Sequence, residues 1–134
     1  MSEAGDALAG ATLVWIEAAP REIRVGVDGG AVACCRADGD DRACRLLTRL
    51  ERGGPNGGGE RIYEDFEGRM VARVTEREGR LTLHFADGEL LHVEAVVNED
   101  GCRMATRSEL EHGRGVSSLV DKAVGLLRGG AGRD

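Results

Sequence analysis

Two histidines eight residues apart, His84 and His92, are the residues with the clearest means to do chemistry in this chain. They lie on either side of a turn. Leu81, Leu83 and Phe85 alternate before it and Leu91 and Val93 alternate after it. A two-residue Asp87-Gly88 loop would set Leu83 against His92 and mix the faces. A three-residue loop, Ala86-Asp87-Gly88, sets Leu83 against Leu91 and Leu81 against Val93, and burial selects it. His92 then opposes Thr82 and His84 opposes Leu90, so the imidazoles are diagonal neighbours about 7–8 Å apart. Glu94 follows on the same face. Imidazole plus carboxylate suits Zn²⁺ or acid/base work, which makes His84, His92 and Glu94 the metal or proton-transfer candidates. Against this, Arg73 lies beside His84 and repels a cation, and two histidines on the solvated side of a sheet need no ligand.

The other constellations are weaker. Cys34 and Cys35 point to opposite faces of one strand, and Cys44 flanks an apolar stripe. No CxxC pair occurs, and with no secretion signal expected the four cysteines, with Cys102, read as reduced structural thiols. Arg42, Arg45, Arg49 and Arg52 recur at helical spacing and could form a basic ridge for an acidic partner. Glu64, Asp65 and Glu67, between Tyr63 and Gly68, form an acidic cluster suited to a basic partner. Both groups also fit solvated faces. The glycine-rich 53–60 stretch lacks the GK[ST] ending of a phosphate loop, and Ser117 and Ser118 have no nucleophile-elbow context.

The elements that must position these groups follow from pattern. Thr12 to Ala18 reads as a strand. Ile23, Val25 and Val27 turn at Asp28-Gly29 into Val32 and Cys34, with Val25 opposite Val32. Ala43, Leu46, Leu47 and Leu50, behind an Asp40 or Asp41 cap, predict a helix over 41–52. A meander follows from Ile62, with Ala72 facing Phe85, Val74 facing Leu83, and Met104 facing Val97 across Asp100-Gly101. A second helix is expected over 116–128. The fold class is thus α+β: an antiparallel meander sheet of six to eight strands with two helices, one mid-chain and one C-terminal, packed on one face. Residues 1–10 and 129–134 are expected to be disordered, 11–128 to form one domain, and 53–60 to be a flexible connector.

Bulk composition narrows the function. The 134 residues fit one domain. The net charge of -6 and an aromatic share of 3% disfavour nucleic acid, which asks for basic surface and stacking rings. No apolar run approaches a membrane span and no leader pattern opens the chain, so the expected location is the cytoplasm. No convergent catalytic set or cofactor motif emerges. The function expected is a non-catalytic protein-binding or adaptor domain, acidic and self-associating as a homodimer. The alternatives are a small ligand-binding protein or enzyme using the face around His84 and His92, and an acidic protein neutralising a basic partner.

Overall fold

The computed structural model describes residues 2–110. It corrects the expected fold class, because the described chain is two antiparallel sheets with a single short α-helix. The helix α1 (Glu3–Leu8) precedes β1 (Leu13–Ala19), β2 (Glu22–Val27), β3 (Ala31–Gly39), β4 (Cys44–Arg52) and β5 (Glu60–Arg61). Then come β6 (Val71–Arg77), β7 (Arg80–Phe85), β8 (Glu89–Asn98) and β9 (Gly101–Leu110). The first sheet runs β4-β3-β2-β1-β5 and the second β6-β7-β8-β9.

The mid-chain helix expected over 41–52 is strand β4, and no pair of helices covers a sheet among the described residues. The leucine spacing fits both periods. What decides is the neighbour: β4 pairs with β3 along its whole length, from Ala31↔Arg52 to Gly39↔Cys44. Alternation then puts Leu46 and Leu50 inward and Arg45, Leu47, Arg49 and Glu51 outward. The loose end expected over 1–10 is instead α1, capped by Ser2, whose Oγ accepts the Gly5 N–H at 3.0 Å. Its Ala4 and Leu8 are buried against the sheets. The C-terminal helix expected over 116–128 and the tail at 129–134 lie outside the described residues.

One core fills the space between the sheets. Leu13, Ile16, Ile23, Val25, Val27, Ala33 and Cys35 meet Val71, Val74, Leu81, Leu83, Phe85, Leu91 and Val93. The β7–β8 register is the one burial selects, with Leu83↔Leu91 and Leu81↔Val93, and Val74↔Leu83 also holds. Elsewhere the pairings shift. Val25 faces Ala33 rather than Val32, because Asp28–Gly30 forms a 3-10 turn instead of a two-residue loop. Val71, not Ala72, faces Phe85, because a bulge lies between Val71 and Arg73. Val97 faces Cys102, and Met104 faces Ala95, so β9 slides two residues from the expected register. A matching bulge between Leu13 and Trp15 turns Leu13 inward and Trp15 outward.

Among the described residues the sheets join along two main seams, besides a bond from Met104 N–H of β9 to Pro20 C=O in the β1–β2 turn (2.9 Å). At one, the backbone just before β1 bonds the start of β6, Gly10 N–H to Val71 C=O (2.7 Å) and Val71 N–H to Ala11 C=O (2.8 Å). At the other, a Cys44–Cys102 disulfide ties β4 to β9, with Cα atoms 5.4 Å apart. This corrects the reading of all four cysteines as reduced thiols. A separation of 58 residues gives no local signal for the pairing.

Candidate functional site

The outer face of the second sheet collects most of the chemistry-bearing side chains in three rows. Alternation places Arg73, Thr75 and Arg77 of β6 on it, Arg80, Thr82 and His84 of β7, His92 and Glu94 of β8, and Arg103, Arg107 and Glu109 of β9. The cross-strand pairs run Arg73↔His84↔Leu90↔Glu109, then Thr75↔Thr82↔His92↔Arg107, then Arg77↔Arg80↔Glu94↔Ala105. Both expected imidazoles are therefore on one face, on neighbouring strands, as the pattern of the sequence requires.

Their partners differ from a metal set. His92 is only 6% exposed. Its Nδ1 lies 2.7 Å from Thr82 Oγ1 and its Nε2 2.5 Å from Glu109 Oε1. His84 Nε2 lies 2.9 Å from Thr75 Oγ1. Glu94 turns to Arg107, whose Nε donates at 3.1 Å, while an Arg107 terminal nitrogen donates to Glu109 at 3.1 Å. Each nitrogen of His92 is thus engaged, and among the described residues no three His, Cys, Asp or Glu side chains gather around a common point.

Burial holds the His92 imidazole below its ordinary pKa, outweighing the pull of Glu109, and Arg107 and Arg80 add to the depression. Burial pushes the Glu109 carboxyl up, but His92 and Arg107 together outweigh it and hold the group low. The native state therefore binds fewer protons here than the unfolded chain as pH falls. The stability these groups contribute is present above their unfolded pKa values. It is lost first as pH falls through the imidazole range, then through the carboxylate range. Melting temperature should drop as pH falls from about 7.5 to about 5.5, and His92→Gln should flatten that slope; an equal slope in the variant refutes the assignment.

A line of hydroxyl, imidazole and carboxylate (Thr82, His92, Glu109) has the elements of an activated nucleophile. Its setting does not complete one. β7 is an interior strand, so the backbone N–H groups around Thr82 are bonded in the ladder and are not turned toward a developing oxyanion.

The partner-binding candidates do not form one patch. Glu64 and Asp65 begin a 3-10 turn after β5, and Glu67 just beyond it pairs with Arg61 at 2.7 Å. Arg45 and Arg49 lie at the other end of the first sheet, on β4, paired with Asp38 and Glu51, and Arg42 sits in the exposed turn before that strand.

A second cluster, not anticipated from the sequence, lies on the outer face of the first sheet. Glu17, 4% exposed, accepts the Gly57 N–H (2.9 Å) and the Asn56 N–H (3.3 Å) and pairs with Arg24 at 3.4 Å. This pins the glycine-rich stretch over the sheet beside a cleft of about 100 Å³ lined by Glu17, Glu22, Arg24 and Gly58. Arg24 also stacks on Trp15. A lone glutamate inside an apolar strand, TLVWIEA, is the one signal that could have found it.

Cys34 donates to Glu22 at 3.0 Å. Burial, then Glu22, pushes its pKa up to about 12, and burial pushes Cys35 to about 12 as well, which disfavours the thiolate at both. Among the described residues no helix is long and apolar enough to cross a membrane. No protein-family model matches the chain, and no similar curated protein or solved structure was found.

Proposed function

We propose that this chain is a non-catalytic protein-binding domain that takes an acidic segment of its partner against the outer face of the second sheet. The observation that carries the reading is the pairing of Arg77 directly opposite Arg80. Like charges in that position destabilise a sheet, and neither guanidinium has a salt bridge among the described residues. Arg103, also without one, extends the cationic strip onto β9. On a chain of net charge -6, five arginines against two glutamates make this face opposite in sign to the whole.

Arginine forks match carboxylates two bonds at a time, which favours an acidic polypeptide. Nucleic acid is disfavoured because this face offers no Phe, Tyr or Trp ring for stacking: Phe85 points into the core, and Trp15, Tyr63 and Phe66 belong to other parts of the fold. The disulfide bears on location. Such a bridge persists in an oxidising compartment, which fits this domain better than a reducing cytoplasm.

Titration of a glutamate-rich peptide by calorimetry tests the reading. Binding should weaken as salt rises, and Arg77→Gln with Arg80→Gln should weaken it about tenfold while the melting temperature holds. No binding at low salt, or equal binding by the double variant, overturns it.

A further inference from the structure

We infer that β4 is the contact strand of a two-fold dimer of this chain, pairing antiparallel with β4 of a second copy. The contact uses the first sheet and is independent of the acidic-partner reading.

The edges of the two sheets are not equivalent. β5 has two residues. β6 is bulged and enters the seam before β1, and β9 gives its Met104 N–H to the Pro20 carbonyl at 2.9 Å. β4 has nine residues, pairs with β3 without a bulge and contains no proline. Natural edges are normally blunted by shortness, a bulge, proline, charge or cover; β4 is long, regular and free of proline, and its charges are of both signs, Arg45, Arg49 and Arg52 with Glu51, so they can pair across a two-fold axis rather than only repel.

The hydrogen-bond phase of that edge is fixed by its two ends. Asp40 N–H bonds Ala43 C=O and Gly53 N–H bonds Gly30 C=O, so the odd-numbered residues of β4 bond β3. Leu46, Thr48 and Leu50 therefore turn their N–H and C=O groups to the free edge, and among the described residues no backbone group bonds them there.

The side chains select the register. With Thr48 opposite Thr48 of the second copy, Leu46 meets Leu50 on the inner face and Arg45 meets Glu51 on the outer face, each pair twice by symmetry. Apolar, hydroxyl and opposite-charge pairs are the favourable cross-strand matches, and here all three coincide. Leu47, 43% exposed, would lie under the Arg49 stem of the other copy. The three central pairs supply about six backbone hydrogen bonds. Arg45 has a side chain 73% exposed in its present pair with Asp38, so it can reach across.

Sedimentation velocity of the full, disulfide-bonded chain tests this over ~1–100 µM. A dimer is expected. Thr48→Pro removes an N–H that β3 does not use, so the fold should survive while the dimer constant weakens by at least about tenfold. Arg45→Glu should weaken it similarly through repulsion of Glu51, and R45E/E51R should restore the wild-type constant. A monomer up to ~1 mM overturns the inference, as does a dimer indifferent to both T48P and R45E.

Discussion

Loss of the Cys44–Cys102 bridge is expected to lower stability by about 4 kcal/mol, a large share of the margin by which a domain of this size stays folded. The figure follows from the 58-residue separation of the two cysteines, because a cross-link removes more freedom from the unfolded chain as its loop lengthens. Native strain reduces such values, so about 4 kcal/mol is the upper end. For a chain of this size the melting temperature should fall by roughly 10–15 °C. The clean experiment is Cys44→Ser with Cys102→Ser, which leaves no thiol to form a new pair with the buried Cys34 or Cys35. A fall under about 2 °C would mean that the seam between β4 and β9 is held without the bond.

Gly26→Ala should be strongly destabilising for a single added methyl. The Trp15 indole lies against the Gly26 backbone, and a Cβ there would stand 2.1 Å from its Cε2 atom. No contact that short is tolerated. Trp15 cannot yield easily, since it is 4% exposed and stacked under the Arg24 guanidinium. Overpacking of this kind costs about 1–3 kcal/mol, and more where the neighbour is a rigid ring. Trp15→Leu made alone should also destabilise, through lost burial. Combined with Gly26→Ala it should cost less than the two single effects added, because the same clash is removed. Additive losses in thermal denaturation would place the strain elsewhere.

The parts of this fold that were legible in sequence share a physical cause. Between β7 and β8, one register buries Leu81, Leu83, Leu91 and Val93 together and the other exposes half of them, so the pattern alone decides. The same register locates both imidazoles, because Thr82 opposite His92 is that pairing seen from the outer face. Where a bulge intervened, at Val71 and at Leu13, alternation broke by one residue and no local feature announced it.

Strand β4 shows the opposite case. In CRLLTRLER, leucines at 46, 47 and 50 satisfy a helical stripe, while 44, 46, 48 and 50 satisfy a strand. The choice was made by β3, which needed a partner along its second edge, and that information is not local. The candidate face was half-visible for the same reason: β9 runs on to Leu110, bringing Arg107 and Glu109 beside His92, and no apolar alternation beyond Met104 signals that extension. The acidic cluster at 64–67 and the arginines of β4 look like matched candidates in one dimension but lie at opposite ends of the five-stranded sheet.

The unlike seams joining the two layers have a consequence for how the molecule opens. On one flank the layers part by breaking a few amide contacts near Ala11 and Val71; on the other a covalent tie holds. Transient breathing should therefore proceed as a clamshell hinged at the cystine, with amide protons at Gly10, Leu13 and Val71 exchanging for deuterium ahead of those in the middle of β3 and β8.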